Sequence, residues 1–343
     1  MSFSELINQA QDSNAIYLHI VSGTKPRIKT PQGISTLGSA ILMPSDVYKL
    51  VDECLQPEMK KRLLEGEEVL FCYNHDGDIE LRVHIYKQRG TLAISAKLID
   101  AEIMGFKQLG IEDNLYESMM SQKMGLFLTS SERDSGRSTL ALSYMQEIAR
   151  HRSVHIVSLE EVIERRFDEN LKGLVSRCQL GVDVIDPQRS IAGFCKTDIQ
   201  VCNLDSLDDP NDFLTALELA SRGILVIGNL IAKDTEALLQ KILNLKSVGG
   251  DYRNQLADVL GNIVHQKRLS GNDGQDIFVQ EHFLNQVATR KHIRENKLQP
   301  ILAFMRTIGK RGCKSYQQSY DKLVSDGLLS RDKVPSKYKI NND

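Results

Sequence analysis

The segment Ser130-Ser-Glu-Arg-Asp-Ser-Gly-Arg-Ser-Thr139 carries residue types that can bind phosphate. It follows an apolar run at 124–128 and precedes a second apolar run at 140–145, an order of strand, loop and helix that is typical of a phosphate-binding P-loop. The P-loop pattern G-x-x-x-x-G-K-[ST] holds phosphates through backbone N–H groups, glycine turns and a lysine charge. Here Ser131 stands at the first glycine and Arg137 at the lysine. The segment therefore predicts a P-loop whose phosphate contacts are altered.

The elements that must position this loop form an α/β pattern from about Tyr116 onward. Strands are predicted at 126–130, 154–159, 173–176, 199–204 and 224–229, and helices at 138–149, 210–222 and 234–245. Strands separated by helices favour a mostly parallel sheet covered on both faces, with ligands at the carboxyl ends of the strands. After Arg253 we predict a mainly helical chain, through 283–294, 298–305 and 317–328. The polar end, 333–343, is expected to be frayed.

The first 100 or so residues predict a separate small α/β domain. A strand is expected at 15–21, a helix opening with Pro44, and three strands at 69–73, 79–86 and 91–98. Turn residues between the last three strands favour an antiparallel meander. Arg82 and His84 alternate with apolar neighbours, as expected for a sheet with one buried face.

Composition excludes several classes of protein. The 343 residues include 41% hydrophobic and 26% charged residues, and a net charge of -2 gives no reason to expect nucleic acid as a partner. The amino terminus lacks a signal-peptide pattern, and no apolar run approaches the roughly 18 residues that a membrane span needs. The six cysteines have no C-x-x-C pair and are read as free thiols, with no metal site expected. These features predict a cytoplasmic protein.

Seven collinear segments resemble the PilT family of type IV pilus retraction (twitching motility) ATPases, within the secretion ATPase superfamily. In the first half these are YLHIVSGTKPRIKTPQGISTL, LRVHIYKQRGTLAISAKLI and MGLFLTSSERDSGRST. In the second half they are HIVSLEEVIE, TALELASRGILVIGNLIAKDT, ATRKHIRENK and YDKLVSDGLLS. Each match is weak, and their shared order along nearly the whole chain carries the resemblance.

The resemblance implies a fold and a setting. It implies a PAS-like N-terminal α/β domain (1–100), a linker (101–115), and a RecA-like P-loop NTPase domain (116–283) with a helical C-terminal end (284–343). It further implies a hexameric ring, of one or two kinds of subunit, that works with a PilT-like motor or other pilus proteins at the inner-membrane pilus base. ATP and magnesium are the cofactors of such a ring.

The resemblance also implies a set of nucleotide-binding positions. They are Ser131, Ser135, Gly136, Arg137, Ser138 and Thr139 in the loop, with Arg82 and Arg89 as N-domain arginines that reach a neighbouring subunit's nucleotide. Two solvated sheet residues are an equally good interpretation of Arg82 and Arg89. Ser131 and Asp134 replace family glycines and are expected to be strained at positive φ. Glu132 and Asp134 add acidic charge, and one like-charge contact at ~4 Å costs on the order of 4 kcal/mol at an effective dielectric near 20. We therefore expect nucleotide and magnesium binding to be weakened.

At the positions where the family has catalytic residues, this chain departs from the family pattern more than it does elsewhere. Glu160 stands at the glutamate proposed to activate water, and a helix-start carboxylate is an equally good interpretation. Ser206 replaces the Walker B glutamate, and Ile231 replaces the box histidine. Asp205 lies one residue early and would need a local kink to substitute, because adjacent strand residues face opposite ways. The sequence thus predicts that catalysis is lost.

Three functions are compatible with these residues. The first is a pseudo-ATPase that regulates or joins the ring of an active pilus motor. The second is a divergent but active ATPase that drives retraction, with Arg137 and Asp205 replacing the missing groups. The third is a scaffold unconnected with pili.

Overall fold

The computed structural model describes residues 2–76, 79–99, 102–133, 135–163, 165–245, 252–307 and 313–339. The chain forms two compact units. The first comprises Met1–Ile103 with Val162–Phe167, and the second comprises Met104–Glu161 with Asp168–Asp343.

Within the described residues, the first unit is an antiparallel six-stranded sheet with three helices. Its helices are α1 (Phe3–Asp12), α2 (Pro44–Cys54) and α3 (Pro57–Leu64). Its strands are β1 (Tyr17–Val21), β2 (Arg27–Thr30), β3 (Gly33–Thr36), β4 (Val69–His75), β5 (Ile79–Gln88) and β6 (Thr91–Ile99), in the order β3-β2-β1-β6-β5-β4. The predicted meander of the last three strands is confirmed. The alternation along β5 is also confirmed, since Leu81, Val83 and Ile85 are fully buried while Arg82 and His84 are half-buried.

Four elements of this unit were missed, and α1 shows why. The helix begins with a capping box in which Ser2 accepts from the Glu5 N–H and the Glu5 carboxylate accepts from the Ser2 N–H. Phe3, Leu6 and Ile7 then bury one face of the helix. The signals are short and local, as they are for α3 and for the four-residue strands β2 and β3.

The second unit is built on a seven-stranded sheet. Its strands are β7 (Gly125–Ser131), β8 (His155–Glu160), β9 (Leu174–Gln179), β10 (Val201–Leu204), β11 (Leu225–Ile231), β12 (Leu260–Ser270) and β13 (Asp276–Leu284). Their order is β13-β12-β7-β11-β10-β8-β9, with only β13 antiparallel to its neighbour. The predicted α/β class with a mostly parallel sheet is confirmed.

Helices cover this sheet. They are α4 (Asp113–Ser121), α5 (Arg137–His151), α6 (Pro187–Phe194), α7 (Pro210–Ser221), α8 (Thr235–Leu243), α9 (Tyr252–Val259), α10 (Val287–Arg294), α11 (Leu298–Thr307) and α12 (Tyr316–Ser325). Two 3₁₀ turns follow at Arg331–Lys333 and Ser336–Tyr338. The strands β7, β8 and β11 are almost wholly buried, as expected for parallel strands that helices cover.

The prediction of a mainly helical chain after Arg253 is confirmed for α10, α11 and α12 and is wrong for residues 260–284. The long hairpin β12–β13 lies there, and its register runs from Asn262 opposite Leu284 to Ser270 opposite Asp276. Buried polar side chains interrupt its apolar pattern, which is why alternation gave no strand signal; they are Asn262, His265, Gln266, Gln280 and His282.

The prediction of a frayed end at 333–343 is also wrong for the described part of it. Val334 is buried, and the Tyr338 ring stacks on that of Tyr320 with centroids 5.3 Å apart. Lys337 forms an ion pair with Asp234 at 3.2 Å. Residues 340–343 lie outside the described residues.

Candidate functional site

The loop between β7 and α5 has the course of a P-loop. Gly136 is the N-cap of α5 and adopts a left-handed conformation, with φ 85° and ψ 24°. A Cβ at this position would lie 2.8 Å from Nε2 of Gln266 and 3.0 Å from the Phe278 ring. The Gln266 amide donates to the carbonyl oxygens of Gly136 at 2.9 Å and Ser135 at 3.3 Å. Only glycine therefore fits where β12 holds the loop against the start of α5.

The expected strain at Ser131 is wrong. Ser131 is the last residue of β7, pairs with Ile231 of β11, and is not among the residues with positive φ. Its buried hydroxyl donates to the Glu132 carbonyl at 2.6 Å. Serine is tolerated because this position is extended backbone rather than a turn. Asp134, the second expected strain point, lies outside the described residues.

Arg137, at the position of the P-loop lysine, faces a carboxylate that sequence reasoning missed. Its Nη1 lies 3.7 Å from Oδ2 of Asp208, which is too long for a hydrogen bond. The Lys241 ammonium donates to Oδ1 of Asp208 at 2.5 Å, and the Ile231 N–H donates to the same oxygen at 3.2 Å. The Asp208 carboxylate thus lies beside the Arg137 guanidinium, at the position where a bound phosphate would meet the basic residue of a P-loop.

Ser138 meets the end of β10. Its hydroxyl donates to Oδ1 of Asp205 at 3.3 Å, and the Asn229 amide donates to the same oxygen at 3.1 Å. The Glu161 N–H donates to Oδ2 at 3.3 Å. Burial, followed by the charge of Glu160, raises the pKa of Asp205. Because β10 ends at Leu204, strand alternation does not govern the direction of Asp205.

Ser138 and Asp205 are the donor types that hold magnesium beside a P-loop. The hydroxyl and the carboxylate already lie within hydrogen-bond distance, and a divalent cation would offset the unfavourable charge of the buried carboxylate. These residues fit the metal that the fold implies. Within the described ranges, however, there is no group of three or more His, Cys, Asp and Glu side chains that could hold a metal ion without further ligands.

Glu160, the predicted general base, is held in a buried ion pair. Its side chain is 5% exposed, and that of its partner Arg177 is 12% exposed. Nε of Arg177 donates to Oε1 at 2.7 Å and Nη2 donates to Oε2 at 2.5 Å. Ser158 also donates to Oε1, at 2.7 Å. The partners meet because Arg177 of β9 pairs in register with Ser158, two residues before Glu160 on the same face of β8.

The alternative interpretation of Glu160 as a helix-start carboxylate is wrong, since Glu160 ends β8 and residues 161–163 are not helical.

Ser206 and Ile231 both contact Asp208. The Ser206 hydroxyl donates to Oδ2 of Asp208 at 3.4 Å. Ile231 contributes its backbone N–H to Asp208, as described above. The structure thus brings Ser206 and Ile231, the two residues predicted to replace catalytic groups, next to Asp208.

The remaining predicted residues are distributed over both units. Thr139 lies in the first turn of α5, and Ser135 precedes Gly136 in the loop. Arg82 is on β5, and Arg89, with φ 51°, lies in the turn after it. Their assignment to a nucleotide stays a prediction.

Sequence reasoning missed four residues of the site, which are Asp208, Lys241, Arg177 and Gln266. None belongs to a motif that the sequence displays. The available signal was position relative to the sheet. Asp208 follows the carboxyl end of β10, and Lys241 lies on the helix after β11. Gln266 lies on β12 beside β7, and Arg177 lies on the edge strand β9.

The comparisons with known proteins agree with this geometry. A crystal structure of the pilus retraction motor PilT with bound ADP matches with a TM-score of 0.88 and 26% identity, covering 100% of this chain and 98% of that one. The type IV pilus retraction ATPase PilT of Pseudomonas aeruginosa is 22% identical over 342 residues, 99% of both chains. Over its whole length the chain is similar to the PilT family. PilT-family similarity extends to a twitching motility protein of Neisseria gonorrhoeae, 23% identical over 90% of this chain and 81% of that one.

A more distant structure shares the fold. The ATPase DotB of Legionella pneumophila matches with a TM-score of 0.81 and 16% identity, over 95% of this chain and 92% of that one. No family model matches the chain. Among the described residues, no helix combines the length and apolarity needed to cross a membrane.

Proposed function

We propose that this PilT-family chain is a pseudo-ATPase that acts as a regulator or ring partner of an active type IV pilus motor. The observation that carries the proposal is the ion pair between Glu160 and Arg177. A general base needs an oxygen that can accept a proton from water. Both oxygens of Glu160 accept from one guanidinium, and one accepts from Ser158 as well.

The residues at the Walker B and box-histidine positions, Ser206 and Ile231, support the same conclusion. Ser206 has no carboxylate, and the Ile231 side chain has no group that could stabilise developing charge. General-base catalysis is typically worth 10²- to 10⁴-fold in rate, and electrostatic stabilisation contributes a similar factor for each donor. Loss of both classes of group is expected to leave hydrolysis near the uncatalysed background.

The assignment to the pilus machinery rests on full-length similarity. The chain aligns with 99% of a relative named as a pilus retraction ATPase and with 81% of one named as a twitching motility protein. Both compact units are therefore retained, as a ring subunit requires. We infer that the chain works in the cytoplasm, peripherally at the pilus base, and forms a ring with itself or with a PilT-like motor.

An active ATPase is the alternative, and one observation favours it. Asp205 lies where a magnesium-side carboxylate is needed, 3.3 Å from the Ser138 hydroxyl. In that case the ion pair of Glu160 would open during turnover.

The deciding experiment measures ATP hydrolysis by the purified full chain with magnesium. We expect no turnover above a no-enzyme blank, and no difference between the parent and Glu160→Ala. Turnover near one per second, an ordinary enzymatic rate, that is abolished by Glu160→Ala would refute the proposal. Adding the chain to an active PilT motor then tests the regulatory role, which predicts a changed motor ATPase rate at substoichiometric ratios.

A further inference from the structure

Asp208 is surrounded by positively charged and N–H donors from three different elements. Arg137 comes from the start of α5, Lys241 from α8, and the Ile231 N–H from the end of β11. Asp208 itself lies in the segment between β10 and α7. Its side chain is 30% exposed, so it is open to exchange with solvent on one side.

The donors around Asp208 match those that bind a phosphate oxygen. A P-loop presents backbone N–H groups and a cation to phosphate, and here an N–H at 3.2 Å and an ammonium at 2.5 Å converge on Oδ1. A carboxylate oxygen is thus held where a phosphate oxygen would be held. The site already contains an anion, supplied by the chain itself.

Arg137 shows that the carboxylate does not satisfy this site completely. Its Nη1 is buried and has no hydrogen-bond partner among the described residues, and the nearest Asp208 oxygen is 3.7 Å away. A buried guanidinium nitrogen without a partner is unfavourable. A phosphate group has more acceptor oxygens than a carboxylate and could serve Arg137 and Lys241 together.

We propose that Arg137, Lys241 and the Ile231 N–H form a phosphate-binding site that Asp208 blocks in the free chain. Lys241 supplies an ammonium group at a site where the P-loop position itself carries the guanidinium of Arg137. The ligand is a polyphosphate group, either the tail of a nucleotide or inorganic polyphosphate, and it binds when Asp208 moves away. The inference rests on the proposed function only in placing this site at the P-loop, and it does not depend on whether ATP is hydrolysed.

The test compares Asp208→Asn with the control Asp209→Asn. Each variant removes one negative charge from the same segment. Asparagine at 208 can still accept from the Ile231 N–H, and asparagine at 209 still caps α7, where Asp209 accepts from the Asn211 N–H. The difference between the variants therefore isolates competition at the site from the general change in charge.

Affinities for ATP and for inorganic tripolyphosphate are measured by calorimetric titration of the full chain. We expect Asp208→Asn to bind both at least tenfold more tightly than the parent, which corresponds to about 1.4 kcal/mol. Adding Lys241→Met to Asp208→Asn should remove most of that gain. Circular dichroism of each variant shows that it is folded.

Three outcomes overturn the inference: unchanged affinity in folded Asp208→Asn, an equal gain in Asp209→Asn, or a gain for ATP without one for tripolyphosphate. The last outcome would assign recognition to the nucleoside. Hydrolysis is followed in the same samples. Turnover by the parent would refute the pseudo-ATPase proposal and leave the blocked site standing, so the two failures are distinguishable.

Discussion

The ion pair between Glu160 and Arg177 makes a quantitative prediction about stability. Arg177→Met removes the guanidinium and leaves a carboxylate that is 5% exposed without its charged partner. It also removes two charge-assisted hydrogen bonds, of 2.7 and 2.5 Å. Removing one partner of a buried pair costs about 3–5 kcal/mol, because the desolvation of the remaining charge is no longer offset.

Arg177→Met is the first variant of a double-mutant cycle. The second variant is Glu160→Gln, and the third carries both substitutions. Glutamine is neutral and close in size, so it removes the carboxylate charge that faces Arg177. In the double variant neither charge of this pair remains, and its cost should be smaller than the sum of the single costs. Directly hydrogen-bonded partners couple by about 0.5–3 kcal/mol, and we expect a value of about 2 kcal/mol or more for this pair.

The assay is urea unfolding followed by far-UV circular dichroism. The chain has no tryptophan, so intrinsic tryptophan fluorescence is not an option. Urea is chosen over guanidinium chloride because a salt screens ion pairs. The matched control is Arg150→Met, which breaks the ion pair with Asp168, where the side chains are 38% and 47% exposed, and a longer one with Glu147 at 3.3 Å. An exposed pair of this kind contributes about 0–1 kcal/mol.

Two results would refute the reasoning. One is strict additivity of the Glu160 and Arg177 substitutions, which would mean that the pair is not formed in solution. The other is an Arg177→Met cost no larger than that of the Arg150→Met control. Either result would return Glu160 to the set of available general bases and remove the main support for the pseudo-ATPase proposal.

Three further predictions follow. Gly136→Ala should destabilise the chain by about 1–2 kcal/mol because the residue has a positive φ, and further because its Cβ would lie 2.8 Å from Nε2 of Gln266. The control Gly181→Ala has a similar φ and open space around its Cβ, so urea unfolding should show only the first effect. Burial lowers the pKa of His282 to about 3 and that of His265 to about 4, so the unfolded chain binds more protons. Stability should therefore be present above about pH 6.5 and fall progressively below it, and His282→Gln should flatten the urea midpoints between pH 8 and 5. Light scattering should show self-association or co-assembly with a PilT motor, and a monomer under both conditions at high concentration would contradict the proposed ring.

The sequence by itself determined the fold class and the location of the loop. The strands β7, β8, β10 and β11 were predicted to within a few residues, because runs of buried apolar residues between helices are local patterns. Gly136 was also identifiable, since a left-handed N-cap demands glycine. The ordered series of family-like segments indicated the PilT family, which the comparisons support over the whole chain.

Only the tertiary structure decided what the site's charged residues do. Asp208 meets Arg137 and Lys241 across 71 and 33 positions of sequence, and Glu160 meets Arg177 through the register of β8 with β9. Local periodicity encodes which face of an element is buried, and it carries no information about which charged residue of another element lies opposite. The hairpin β12–β13 was missed for a related reason. Its buried polar side chains are satisfied by partners outside the hairpin as well as within it, so their burial cannot be read from the hairpin's own sequence.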